Sequence, residues 1–244
     1  MRLYRYFTDG VPWYLARHYW WAYLWSKAVW FFDHQTIINA ILFFQYKKLM
    51  QVTLNRFQSS PKKRVLQLTC VYGSLTPTLC REMGNNPLHI IDVAPIQLQL
   101  AMKKARSGRL IPCRMNAEKL GYRDDAFDTV IVFFLLHEMP PEARINTLNE
   151  CLRILAPGGS LIITEYAELP RQHLLYRIWP CRWLITQLEP FLDGFWHEDL
   201  DALLQGSAHR VGKKLRKTRQ DKIFSAFYRV NSYSIEHLPI ETTN

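Results

Sequence analysis

Thr129-Val130-Ile131-Val132-Phe133-Phe134, followed at once by Leu135-Leu136-His137-Glu138, is the stretch on which the fold turns. Six residues with no charge and little polarity read as a strand covered on both faces, the pattern of a central strand in a parallel sheet. Downstream, Ile145, Leu148, Leu152 and Leu155 form a helical stripe, stopped by Pro157-Gly158-Gly159, and Ser160 to Thr164 is the next strand. Upstream the alternation repeats, with strands at Val65 to Cys70, Leu88 to Val93 and Leu110 to Met115, and Pro95 opening a helix after the second. This pattern predicts an α/β protein: a Rossmann-like, doubly wound, mostly parallel sheet with helices on both faces. Asp199 to Leu204 reads as helix. Two last strands, near Arg210 to Arg219 and Ile223 to Val230, are expected as an antiparallel edge. The basic run Lys213, Lys214, Arg216, Lys217, Arg219 is read as a solvated edge strand guarded by charge.

The chain has 244 residues, enough for one well-buried domain and a modest extension. Three segments are expected: an aromatic, amphipathic helical piece over 1–58, the Rossmann domain over 59–232 with a lid insertion at about 168–197, and a tail over 233–244. Five of the eight tryptophans fall in the first piece, at Trp13, Trp20, Trp21, Trp25 and Trp30. Trp20, Leu24, Ala28 and Phe31 share one helical face. Asp33 would cap a second helix striped by Ile37, Ile38, Ile41 and Leu42, with Tyr46, Lys47 and Lys48 as its polar end. This piece reads equally as a helical cover over a pocket or as an interfacial anchor, since Trp and Tyr favour the headgroup level.

A formal charge of +10 points to an acidic partner, and an anionic membrane surface is favoured over nucleic acid, for which no recognition motif is present. Five scattered cysteines without a C-x-x-C pair argue against a disulfide framework or a zinc cage. No run reaches the roughly 18 apolar residues that span a bilayer; the longest, Val29 to Phe44, is broken by Asp33, His34, Gln35, Thr36 and Asn39. With no secretory or transit signal visible, the expected location is peripheral, on the cytoplasmic face of a bacterial inner membrane.

In an open parallel sheet, ligands bind beyond the carboxyl ends of the strands. That rule selects Cys70 to Ser74, Asp92 to Ala94, Asn116 to Glu118, Phe134 to Met139, and Glu165 with Tyr166. Gly73 permits a tight turn. Asp92, about twenty residues further on, is placed to accept from ribose hydroxyls.

Phe127-Asp128-Thr129-Val130 to Phe134, Leu136-His137-Glu138 and Arg153-Ile154-Leu155-Ala156-Pro157-Gly158-Gly159 resemble the later half of class I S-adenosylmethionine-dependent methyltransferases, over roughly residues 62 to 166. The resemblance implies S-adenosylmethionine held by Cys70, Val71, Tyr72, Gly73, Asp92, Val93, Asn116, Ala117 and Phe134. The first turn departs from that pattern. Leu66-Gln67-Leu68-Thr69-Cys70-Val71-Tyr72-Gly73 lacks the usual acidic residue and carries bulky Tyr72 where a small residue is expected. Val71-Tyr72-Gly73 with Leu75-Thr76-Pro77, Phe133 to Glu138, and Tyr19-Trp20-Trp21-Ala22-Tyr23-Leu24 together resemble the RquA family of rhodoquinone biosynthesis proteins.

That resemblance implies conversion of ubiquinone to rhodoquinone, an amino group replacing a ring methoxy group. S-adenosylmethionine would be the amino donor and manganese (Mn2+) would assist. The residues then expected in catalysis are Tyr72, His137 and Glu138. Trp20, Tyr23, Glu165 and Tyr166 are expected at the substrate, and His137, Glu138 and Glu165 at the metal. Methyl transfer to a lipid-soluble ring is the alternative activity, and a non-catalytic, membrane-associated assembly factor is the alternative of another class.

Overall fold

A computed structural model describes residues 10–70, 72–106 and 108–236, so Val71 and the end of the tail (237–244) lie outside the described residues. Seven strands form one sheet in the order β3-β2-β1-β4-β5-β7-β6. They are β1 (Val65–Leu68), β2 (Leu88–Asp92), β3 (Leu110–Arg114), β4 (Phe127–Phe133), β5 (Leu155–Tyr166), β6 (Leu215–Ile223) and β7 (Tyr228–Ile235). The first five run parallel, and β7 lies antiparallel between β5 and β6. The Rossmann-like expectation holds. Val130, Ile131 and Val132 are fully buried, because β4 sits between β1 and β5 with helices on either face.

Helices follow the winding of the sheet. Right-handed crossovers from β1 toward β3 and from β4 toward β5 put their helices on opposite faces. On one face lie α3 (Tyr46–Gln58), α4 (Leu75–Glu82) and α5 (Pro95–Ala105); on the other α6 (Pro141–Arg153) packs against α10 (Leu200–Arg210), which Asp199 caps through the backbone N–H groups of Asp201 and Ala202. The order reverses between β1 and β4, so the crevice opens above those strand ends.

The N-terminal piece differs from its amphipathic reading. A π-helical turn over Leu15–Tyr19 runs into a single α-helical turn over Trp20–Tyr23. The chain then breaks at extended Trp25 before α1 (Ser26–Phe32) and α2 (Gln35–Ile41). Trp20, Leu24, Ala28 and Phe31 therefore do not share one helix face. His34, not Asp33, sits at the start of α2, and Asp33 closes α1. Its carboxylate accepts from the Gly73 N–H at 3.0 Å and pairs with Lys104 at 2.5 Å. Tyr46 to Lys48 is not a polar end. It begins α3, whose Leu49, Thr53 and Phe57 are fully buried and whose Thr53 hydroxyl meets that of Thr164 at 2.6 Å. The lid region folds as three short helices, α7 (Leu174–Arg177), α8 (Trp179–Leu188) and α9 (Leu192–Trp196).

Two sequence boundaries shift. Leu155 starts β5 and does not end α6, and Pro157-Gly158-Gly159 is a bulge inside the strand, between the Phe127–Leu155 and Thr129–Ser160 pairs. A Cβ on Gly159 would lie 2.7 Å from the Ala156 carbonyl and 3.1 Å from that of Asp128, so only glycine fits. The last hairpin turns later than its sequence suggests, through Phe224, Ser225 and Ala226 at positive φ, and β7 continues to Ile235. That turn contains no Gly, Pro or Asn to mark it.

These geometries give opposite outcomes for two glycine substitutions. Gly159→Ala should destabilise by about 2–3 kcal/mol, because both obstructing atoms are backbone. Gly206→Ala, in the exposed interior of α10 with open space around it, should stabilise by about 0.5–1 kcal/mol. Urea unfolding of the two variants checks both signs.

Candidate active site

Above the reversal point lies a cavity of about 230 Å³, walled by the strand ends on one side and by the N-terminal turns and the end of α8 on the other. Its described lining contains no Lys or Arg, although the protein carries 31 of them. Asp92, Glu138 and Glu189 supply its acidity, and six tyrosines and three phenylalanines line the wall.

The floor is organised by Glu165. Fully buried at the end of β5, its carboxylate accepts from the N–H groups of Leu135 and Leu136, each at 2.7 Å, and from that of Tyr166 at 3.1 Å. It also meets His137 Nδ1 at 2.9 Å. The backbone after β4 must leave the sheet here, and these bonds satisfy donors that the sheet no longer can. Burial raises a carboxyl pKa, but the adjacent imidazole and the N–H donors win and hold Glu165 below its ordinary value. Burial likewise lowers His137, yet Glu165, with Glu189 and Glu138 beyond it, pushes the imidazole up to about 9. Buried Arg144 clamps the same loop from α6, donating to the carbonyls of Leu136 (2.9 Å) and Met139 (2.7 Å).

With Nδ1 committed to Glu165, His137 turns Nε2 toward Glu138 at 4.0 Å and Glu189 at 3.8 Å. One ligand atom from each of these three residues lies within 4.8 Å of the others. Burial pushes the Glu138 carboxyl up to about 8, with His137 pulling it back and Glu189 adding to the rise. Burial raises Glu189 as well. Tyr23 donates a hydroxyl to Glu138, and Tyr19 does so to Glu189 at 3.0 Å. A divalent cation that takes nitrogen and carboxylate ligands suits this trio, and the carboxylate behind the histidine is the usual support of such a ligand.

At the opposite end, the turn after β1 is occupied by the protein itself. The Cys70 N–H goes to Asp92 (3.1 Å), the Gly73 N–H to Asp33, and the Ser74 and Leu75 N–H groups to the Tyr46 hydroxyl (2.7 and 3.1 Å). Gly73 has φ +85°, and a Cβ there would meet Tyr46 Oη at 2.5 Å. Tyr72 stacks on Tyr23, ring centroids 5.8 Å apart, while its hydroxyl donates to the Ala22 carbonyl (2.5 Å) and accepts from Gln97 (2.9 Å). It therefore faces the cavity with its ring and not with a free hydroxyl. Asp92 also accepts from the Ala94 N–H at 2.8 Å, and burial outweighs these bonds to push its carboxyl up to about 7.

Cys70, Tyr72, Asp92, Val93, Asn116, Ala117 and Phe134 all border the cavity, as do Tyr23, His137, Glu138 and Tyr166. Asn116 is partly engaged in its own turn, accepting from the Glu118 N–H at 3.0 Å. Three expected positions are placed differently. Glu165 is spent on backbone and His137 and is not among the residues that line the cavity; Glu189 stands with His137 and Glu138 there instead. Trp20 is half exposed and outside the cavity, where Tyr19 and Trp21 stand, because the π-helical turn rotates the segment. Gly73 sits behind the wall, and Val71 lies outside the described residues. Tyr14, Tyr19, Tyr46 and Glu189 were not legible as site residues. Glu189 is a single acid in an aromatic lid, and no spacing ties it to His137.

Residues 65–159 match the methyltransferase domain family. The chain is 29% identical over 164 residues to the demethylmenaquinone methyltransferase of Lactiplantibacillus plantarum, covering 65% of this chain and 67% of that protein. It is 31% identical over 111 residues to the ubiquinone/menaquinone biosynthesis C-methyltransferase UbiE of Proteus mirabilis, covering 43% of each. The match therefore spans less than half the length of that relative. Among solved structures, a SAM-dependent methyltransferase from Aquifex aeolicus superposes with a TM-score of 0.57 at 15% identity, covering 87% of this chain and 98% of that one. The sheet is a class I methyltransferase fold.

Glu165→Gln tests the floor of the cavity. With chelator present, the substitution should cost about 2–4 kcal/mol of stability. The His137 imidazole, losing its nearest anion while Glu189 and Glu138 remain, should fall from about 9, as NMR titration would show. The wild-type pair adds stability that is complete below about pH 6.5 and is lost as the pH climbs through about 9. The difference in Tm between the two proteins should narrow across that window.

Proposed function

We propose that this chain, a class I methyltransferase fold fitted with an aromatic N-terminal cover, is an S-adenosylmethionine-dependent enzyme that modifies a quinone ring. Its specific reaction is replacement of a methoxy group of ubiquinone by an amino group drawn from S-adenosylmethionine, giving rhodoquinone. The observation that carries the reading is the occupied turn after β1. In methyltransferases that region holds the methionine half of the donor; here Asp33 and Tyr46 take its N–H groups and Tyr72 walls it. The amino acid end of the donor is thereby directed elsewhere in the cavity, toward His137, Glu138 and Glu189. A lining free of Lys and Arg supports both partners, since a sulfonium sits well among carboxylates and aromatic faces and a neutral ring needs no counter-charge. The relatives named for ubiquinone and menaquinone biosynthesis support the ring class.

The ring carbon bearing methoxy is a vinylogous ester. The donor's neutral α-amine adds there, and the protonated His137–Glu138 pair relays a proton, giving one to the departing methoxy oxygen as it takes one from the new nitrogen, so that methanol leaves. Loss of the Cα proton then moves two electrons into the quinone and forms an imine. Water hydrolyses it to the aminated hydroquinone and the α-keto acid of the donor. Tyr23 and Tyr19 hold the two carboxylates in place, and the rings of Tyr72 and Tyr23 flank the space for the substrate. The RquA resemblance implies manganese, and the donor set of His137, Glu138 and Glu189 fits it. Bound there, the ion would supply a positive charge to an otherwise acidic pocket. Methyl transfer to the ring is the second reading, favoured by the names of the relatives.

Incubation with short-tailed ubiquinone, Mn2+ and S-adenosylmethionine labelled with ¹⁵N at the α-amine, followed by mass spectrometry, separates the two. Labelled aminated hydroquinone, recovered as rhodoquinone after oxidation by air, is expected together with the donor's α-keto acid. A methylated ring with S-adenosylhomocysteine, and no nitrogen gained, would replace amination with methyl transfer. Separately, Glu189→Gln should weaken Mn2+ binding, read by EPR of the free ion, by at least the roughly 10–100-fold typical of losing an outer-shell partner. An unchanged affinity would remove Glu189 from the ligand set.

A further inference from the structure

The chain has 21 acidic residues, yet none falls in residues 10–32 or 169–188. Both stretches are basic, with Arg17 and Lys27 in the first and Arg171, Arg177 and Arg182 in the second, all exposed. The same two stretches leave large apolar side chains in solvent. Trp30 is 68% exposed and Trp179 66%, and Trp25, Leu174, Trp183 and Leu184 are each more than half exposed. Not one residue of α8 is buried. Scattered exposed leucines are ordinary, but tryptophans repeated on adjoining elements without a single acid among them are not.

The two stretches meet. Phe191, just after α8, packs edge-on against Trp13 and His18 (ring centroids 6.3 and 5.4 Å), and Tyr19 bonds Glu189. Leu188 and Ile41 are both nearly half exposed and both line the cavity. The apolar surface is therefore a collar around the cavity mouth. Among the described residues no helix is long and apolar enough to cross a membrane, and α8, at ten residues, is too short to span one.

We propose that this collar docks on an anionic lipid bilayer, with the tryptophans at headgroup depth and the arginines and Lys27 against lipid phosphate. Charge complementarity selects this occupant, since a surface with basic residues and no acidic ones matches anionic headgroups. In this geometry a lipid-soluble substrate passes from the bilayer between Ile41 and Leu188 into the cavity. That passage rests on the quinone reading; the docking does not.

The test is flotation of the whole protein with vesicles of phosphatidylcholine alone or mixed with phosphatidylglycerol, with Trp fluorescence quenching by brominated acyl chains as a second readout. The wild type should float with the anionic vesicles and be quenched. The double variant Trp179→Ser, Trp183→Ser should bind at least about tenfold more weakly, each buried indole contributing to partition. Arg216→Gln with Arg219→Gln, on the exposed edge strand β6, should bind like the wild type. Circular dichroism confirms that each variant is folded.

Absence of flotation, or flotation lost with the edge-strand variant and kept by the tryptophan variant, overturns the proposal. So does a dimer in solution that the tryptophan variant dissociates, since a second copy would then be the occupant. Quinone turnover separates this inference from the function. The tryptophan variant should keep activity on a tail-less, water-soluble quinone and lose it on a long-tailed quinone in vesicles. A protein that docks as described but transforms neither quinone leaves the docking standing and removes the quinone reading.

Discussion

One buried carboxylate holds the cavity end of this protein in shape. Where β4 leaves the sheet, two consecutive backbone N–H groups lose their ladder partners, and Glu165 at the end of the neighbouring β5 accepts both. An ionised group in that position is costly unless it is paired and fully bonded. His137 supplies the pairing, and its ring is thereby fixed with one nitrogen against Glu165 and the other facing the cavity. The same bonds thus terminate a strand, neutralise a buried charge and aim an imidazole. Arg144 repeats the device from the other side, trading its donors for the carbonyls of the same loop.

The N-terminal piece is part of the site and not only its cover. Asp33 and Tyr46 reach across forty and twenty-eight positions of chain to satisfy the N–H groups of Gly73 and Ser74. The close fit of Tyr46 over Gly73 depends on the missing Cβ of that glycine. Tyr19 and Tyr23 deliver hydroxyls to carboxylates on the lid and on the strand ends. A nucleotide-type fold has here been closed over by its own leading helices, which removes one set of backbone donors from any ligand and adds a wall of phenol rings.

Charge is sorted by location. A protein of net charge +10 keeps every Lys and Arg out of the described lining of this cavity, while the neighbouring stretches 10–32 and 169–188 carry basic residues and no acidic ones. The interior therefore favours cations and neutral rings, and the rim favours anions. Such a division lets the two faces of one opening select different chemistry, because a cation entering the cavity draws its buried carboxyls into their charged form while solvent screens the arginines outside.

The sequence by itself determined the sheet. Mostly apolar runs at Val65, Leu88 and Thr129 are best buried on both faces as central parallel strands, and Pro95 and Asp199 open their helices through short-range backbone chemistry. It also placed Asp92, Asn116, His137 and Glu138 at strand ends, where the structure has them bordering the cavity. The bulge at Gly159, the turn at Phe224 to Ala226 and the break at Trp25 escaped it, since each is set by what the backbone meets across the sheet or in the cover. The exchange of Glu165 for Glu189 and of Trp20 for Tyr19 and Trp21 belonged wholly to tertiary structure. Which carboxylate is consumed by orphaned backbone and which stays open to the cavity depends on distances between segments more than a hundred residues apart, as from Tyr19 to Glu189, and local pattern has no access to those distances.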